Sequence, residues 1–425
     1  MKYIKEYFKK KFDEIKALGK KKIILRLTTI IATIIIAALL LVILYKDSYY
    51  KNEYNIAYTE ITFSKFKKAK VEEIVSIEEP DEEGVGYTLH YTYQCVILEG
   101  DHKNESHIVH QYLNDYTSNY TNTVKKGDTI YVVEQLRGDN EVSYIFNGDS
   151  ISFNHIAGII VLAVVLILLL LMISKSQGLL TIISLVLSLL AILYVFLPRI
   201  LNGQNIYLLT IFVCVFTIVV TYLIVVGINK KGICATLGCF GGLLLSGILS
   251  LIAMSILHVT GHYANEDIGE VTLLYQSLYN ADIKISLKGL LFASTLIGAL
   301  GAVMDVSLSL SSSLKEVYDN AKEVSLKNTI KSGFVIGKDM IGTMVNTLIL
   351  AYVAADLSFI LYFMVHHSNE FILRSEYLAV AIAQALVGSI AMVLTIPLTS
   401  IICAFVYNKK NKINNIEEGE ENEEN

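Results

Sequence analysis

Residues 290–317 read LLFASTLIGALGAVMDVSLSLSSSLKEV. An apolar run passes without a break into a segment carrying one aspartate and five serines. The first part suits a helix immersed in hydrocarbon. The second holds too many polar groups for lipid to surround it on every side. On a helix, Ser294, Gly298, Gly301, Asp305, Ser309 and Ser312 recur at spacings of four, three, four, four and three, which is one continuous face. Leu296, Val303 and Leu310 fall elsewhere. Gly298 and Gly301 permit close approach of another helix, and serines can bond across such a contact. Asp305 follows Lys288 by 17 residues (305 − 288), roughly 25 Å at 1.5 Å per residue. A charged aspartate at the middle of a span costs ~2.5–3.5 kcal/mol, so this face is expected to meet protein or water.

A matching pattern follows in IGKDMIGTMVNTLILAY (336–352). Asp339, Gly342 and Asn346 are spaced three and four, with Thr343 and Thr347 alongside and Lys338 adjacent. An acid on each of two successive spans predicts that the two faces meet. One reading is a polar pathway: Asp305 and Asp339 bind a cation or relay protons, with Ser309, Ser312, Thr343 and Asn346 as neutral ligands. The competing reading is a packing seam. There Gly298, Gly301, Gly337 and Gly342 close the helix pair and the acids cap helix ends or pair with Lys338 or Lys315.

Chain-wide composition sets the frame. Of 425 residues, 53% are hydrophobic, and mean hydropathy is +0.52. Soluble domains are less apolar, and runs of about 20 apolar residues span a ~30 Å hydrocarbon core. The spans are therefore expected to be helices that satisfy their own backbone. A first span is placed at 27–45; its apolar core is longer than that of a signal peptide and no small-residue cleavage site follows. Seven more are placed near 155–173, 179–197, 206–228, 233–257, 289–310, 340–365 and 378–407. Pro198 is expected to stop the third, Pro397 to kink the last, and SGFVIGKD (332–339) to form an interfacial or re-entrant piece. The expected fold class is an all-α membrane protein of about eight transmembrane helices, with a small mainly-β extracytoplasmic domain between spans one and two.

The domains expected are a basic cytoplasmic N-terminus (1–26), the first span (27–45), the β-rich domain (46–154), a seven-span membrane domain (155–407) and an acidic disordered tail (408–425). KVEEIVSIEE, GYTLHYTYQCVILEG and DTIYVVEQL are β-branched and aromatic and lie between turn signals. With eight spans, most basic loop residues fall on one side. Both termini are then cytoplasmic and the β-rich domain lies outside a bacterial plasma membrane.

The chemical signals are sparse. Cys214, Cys234, Cys239 and Cys403 sit in or near spans and only Cys95 in the polar domain, so no disulfide framework is implied. The pair Cys234 and Cys239 reads as packing rather than ligation, and no metal-ligand set and no cofactor motif are evident. The acid run EEPDEEG (78–84) reads as a solvated loop. His258, His262, His366 and His367 read as loop residues, although an i, i+4 histidine pair on a helix would suit zinc. The glycines of GCFGGLLLSG (238–247) read as helix packing, since no strand precedes them as a phosphate loop requires. No hydrolase or transferase constellation is present, so the expectation is no enzyme.

GALGAVMDVSLSLSSSLKEV (298–317) followed by GKDMIGTMVNTLILAY (337–352) resembles the YibE/F-like family of bacterial membrane proteins. KKGDTIYV (125–132), Gly178, LPRILNGQN (197–205) and GINKKGICATLG (227–238) fit the same resemblance, which covers about 124–407. Gly301, Asp305, Gly337, Asp339, Gly342, Asn346 and Thr347 occupy the motif positions. VAADLSF (353–359) departs from it: a turn with glycine and proline is expected there, and Asp356 is an extra acid. The resemblance implies a polytopic transporter or permease, with one leading span and an external domain. The expected function is a secondary transporter or permease with an acidic intramembrane pathway. The alternative is a membrane assembly or scaffold protein whose external domain binds an envelope partner. The partners expected are the lipid bilayer, a second polytopic subunit or a homo-oligomer, and that envelope partner; nucleic acid is not among them.

Overall fold

The computed structural model describes residues 20–49, 66–79, 89–113, 124–136, 142–146, 156–260, 285–320, 325–366 and 374–423. The run EEPDEEG, apart from its first two residues, and His262 and His367 lie outside them. The chain divides into two compact units, residues 52–173 and residues 1–51 with 174–425.

The first helix, α1 (Lys20–Tyr49), holds the expected first span. Five strands follow: β1 (Phe66–Glu78), β2 (Leu89–Ile97), β3 (Ser106–Leu113), β4 (Thr129–Leu136) and β5 (Val142–Ile145). They close into a barrel in the order β1-β2-β3-β5-β4. All pairs are antiparallel except β3 with β5. The core is what strand alternation dictates. Along β2, Tyr93, Cys95 and Ile97 point inward, along β3 Val109, Gln111 and Leu113, and along β4 Ile130 and Val132. Closure removes the exposed edges that would otherwise pair with other chains. Gln111 is the polar exception, and its side-chain oxygen accepts from the Tyr93 hydroxyl at 2.7 Å.

Next comes α2 (Ile156–Leu190), which is not one continuous helix. Lys175 has φ 49 and ψ −123, a backbone conformation that turns usually give to glycine. It separates the two expected spans 155–173 and 179–197. A π-helical stretch, Ala191–Phe196, leads into α3 (Leu197–Leu201). Pro198 directly follows the π-helical stretch, the kind of local adjustment by which a long helix takes in a proline. It therefore does not end the helical run, which stops instead at Asn202 and Gly203, the latter at φ 73.

Helix α4 (Ile206–Thr221) is capped by Asn205, whose side chain accepts from the Tyr207 and Leu208 amides at 3.0 and 3.2 Å. It passes into a second π-helical stretch, Tyr222–Val226, and ends at Gly227. Helix α5 (Lys230–Ile256) carries the glycine run, and α6 (Leu287–Asn320) the opening stretch. Helix α7 (Leu326–Ala355) is followed after Asp356 by α8 (Leu357–His366) and then by α9 (Glu376–Glu423).

Two boundaries differ from the sequence expectation. The span placed at 340–365 is two helices, and α7 begins 14 residues earlier (340 − 326). SGFVIGKD is therefore ordinary helix and not a re-entrant piece. Ser325 starts α7 by accepting from the Asn328 amide at 3.2 Å. Gly333 and Gly337 keep it close to α9, where a methyl at either position would strike Ser400 or Ile396. The second difference is α9, which runs into the acidic tail as far as Glu423. Extending a formed helix adds one bond per residue without a new nucleation cost.

Among the described residues, seven helices are long and apolar enough to cross a membrane. One of them, Ile156–Leu201, is 46 residues long and contains the Lys175 break. The helical unit is held by α6. Its buried side chains, including Phe292, Leu296, Val303, Leu310 and Leu314, pack against α4, α5, α7 and α9. The glycines of α5 form a close seam: Gly238 lies against Thr399, Gly241 against Leu398, and Gly242 against Thr395 and Val303.

Candidate functional site

The polar face of α6 looks outward. Ser294, Gly298, Gly301, Asp305 and Ser309 are exposed and Ser312 is half-buried, while Leu296, Val303 and Leu310 are buried. The five serines of the opening stretch divide by direction. Ser307 and Ser311 are fully buried. The Ser307 hydroxyl lies 2.6 Å from that of Tyr222, and the Tyr222 hydroxyl also donates to the Met304 carbonyl at 3.0 Å. Tyr407 donates to the Ser311 carbonyl at 3.3 Å. Ser307 thus ties α6 to the core through its side chain, while the Ser311 hydroxyl is satisfied within α6 by the Leu308 carbonyl at 3.0 Å.

The α7 pattern also points away from its own core. Asp339, Gly342, Thr343, Asn346 and Thr347 are exposed, while Ile341, Met344, Val345 and Leu348 pack inward. The two polar faces are thus not pressed against each other. A methyl at Gly301 or at Gly342 would meet nothing within 4 Å, whereas at Gly298 it would strike the Tyr352 hydroxyl. That hydroxyl is buried without a hydrogen-bond partner. Of the four packing glycines, Gly298 and Gly337 sit at contacts, and Gly301 and Gly342 in open space.

The polar groups differ in how well they are satisfied. Thr343 and Thr347 donate to the Met340 and Met344 carbonyls at 3.1 and 2.9 Å. Ser294 donates to Leu291 and accepts from Gln384 of α9 at 2.7 Å. Asp305, Asp339 and Asn346 have no such partner among the described residues. Lys315 is engaged by Asp319 one turn on, so it does not neutralise Asp305. Asp356, the extra acid, accepts from Tyr377 at 2.8 Å and lines a groove of about 310 Å³ with Tyr352, Val353 and Leu378.

The sequence reading passed over Tyr222, Ser307 and Gln384. The only signal for the first two was a polar pair on separate apolar spans, and nothing in their spacing says that they meet. It also passed over a cluster in the barrel, where His102, Glu105 and His107 bring ligand atoms within 4.8 Å of one another.

Long apolar helices packed around α6, together with a separate small β-barrel, have the composition of a helical membrane protein. Residues 162–409 match the family described as YibE/F-like protein, and the chain belongs to that family. The match covers α6 and α7 with their polar faces but neither α1 nor the barrel, so KKGDTIYV falls outside it. Neither curated proteins nor solved structures yield a match.

Proposed function

We propose that the protein is a multi-pass plasma-membrane transporter or permease, without enzymatic activity, whose polar pathway runs along the outward faces of α6 and α7. The observation that carries this is the pair of unpaired carboxylates, Asp305 and Asp339, on exposed faces of otherwise apolar helices. Lipid cannot be their solvent at tolerable cost. They need a water-lined path or a second subunit that closes one over them. With Lys175 dividing the 46-residue run, eight spans result, and the basic loops then favour both termini inside and the barrel outside.

Single cysteines at Ser309 and Asn346 test the reading, with Leu244 as a lipid-facing control at 65% exposure. All five native cysteines are buried. A membrane-impermeant maleimide applied from the cytoplasmic side is expected to label both test sites and spare the control. Absence of label at both sites in every condition would exclude a wet pathway.

A second reading, an assembly protein whose α6 and α7 faces dock dry against another subunit, is favoured by the open space at Gly301 and Gly342. Cysteine at Gly301 would then crosslink two subunits on oxidation while Ser309 stays unlabelled.

A further inference from the structure

The β2–β3 connection is short and held tightly. The Ile97 amide donates to the Glu105 carbonyl at 3.0 Å, Asn104 to the Ile97 carbonyl at 2.8 Å, and Glu105 to the His102 carbonyl at 3.1 Å. Gly100 and Asn104 take positive φ values of 88 and 69. The turn folds His102 back over Glu105. Strand alternation then puts His107 on the same side as Glu105 and in line with the buried Val109. His107 ends that inward row, with its ring edge-on to Tyr144 at 5.1 Å.

Three donors converge there. Glu105 Oε2 lies 2.9 Å from His102 Nδ1 and 3.2 Å from His107 Nε2. A tetrahedral ion with ligands at ~2.0–2.1 Å holds them about 3.3 Å apart, close to both distances to Glu105, and all three ligand atoms lie within 4.8 Å of one another. Two imidazoles and one carboxylate are a borderline-soft set, better matched to zinc and its neighbours than to calcium or magnesium. Side-chain exposures of 34%, 56% and 24% for His102, Glu105 and His107 leave a path for a hydrated ion and room for water as a fourth ligand. Glu134 and Asp101 stand near Tyr144 as well, so the surroundings are acidic.

The geometry points to a binding site for a divalent transition-metal ion of the zinc class on the barrel domain, ligated by His102 Nδ1, Glu105 Oε2 and His107 Nε2. Binding replaces the two hydrogen bonds to Glu105. Each histidine presents a lone pair to the ion, and any proton on that nitrogen leaves to solvent or moves to the other ring nitrogen. The histidine pair His90 and His110, 3.1 Å apart on the same strands, is a separate feature and serves as the control.

The experiment uses the full-length protein in detergent, without a polyhistidine tag and stripped with a chelator. Titration with Co²⁺ is expected to produce ligand-field bands that saturate at one equivalent and are displaced by Zn²⁺. The buried cysteines do not compete. His102→Ala and His107→Ala are each expected to weaken Co²⁺ binding at least about tenfold, the lower end of what even second-shell losses cost. His110→Ala leaves it unchanged. Binding that survives the double variant, or no binding by the wild type, overturns the site. Should the alanine variants fail to fold, Glu105→Gln decides, since it keeps shape and loses charge; wild-type affinity in that variant would equally overturn it.

Discussion

Glycine has opposite meanings at different positions of this chain. At Gly238 and Gly242 the missing side chain is space taken up by Thr399, Thr395 and Val303. Gly238→Val should therefore overpack the α5–α9 seam and cost about 1–3 kcal/mol, read as a lowered thermal midpoint in detergent. At Gly301 a methyl meets nothing. Gly301→Ala should leave the single chain within about 0.5 kcal/mol of wild type; any loss it causes should appear in association or transport. Cys95 makes a different point. Burial, and then the charge of Glu72, push its thiol from 9.0 up to about 12. Between those values the unfolded chain ionises and the folded barrel does not, so the unfolded state binds fewer protons and stability falls as pH rises. Cys95→Ala should flatten that alkaline loss, and native Cys95 should resist maleimide at pH 8 until the barrel is denatured.

Helix ends here are set by local chemistry. Ser325 caps α7 through the Asn328 amide, and Ser325→Ala should cost about 1 kcal/mol. Hydrogen exchange of the first-turn amides should quicken while that of the α6 core does not. Lys175 breaks α2 in a conformation that a β-branched residue tolerates poorly. Lys175→Val should lower stability in detergent, and Lys175→Gly should not. Helix α6 joins both themes: one side carries the packing of the bundle, and the other carries Asp305.

For the molecule as a whole, the decisive property is sidedness. With eight spans, a cysteine at Lys126 in the barrel domain and one at Lys230, the first residue of α5, lie on opposite sides of the membrane. The first should label in intact cells and the second only after permeabilisation. Equal labelling of both in intact cells would contradict the even span count. Asp305→Asn and Asp339→Asn should each impair any transport assay while leaving the thermal midpoint nearly unchanged, because neither carboxylate has a partner to lose among the described residues.

Apolar runs, polar faces and the strand character of β1, β2 and β4 were legible in the sequence, because helix and strand periods are local properties; β3 and β5 were not read. The two faces of α6 and α7 were read correctly as faces, and both lie within the family match over residues 162–409. Only tertiary structure decided where those faces point. A helical period gives an angle around one axis and says nothing about the neighbour's axis, so the faces expected to meet were found turned outward. The same limit hid Ser307 beneath Tyr222, 85 positions away (307 − 222), and the convergence of His102, Glu105 and His107. Two positive-φ residues and three backbone hydrogen bonds bring those three side chains together, and none of these shows in residue spacing.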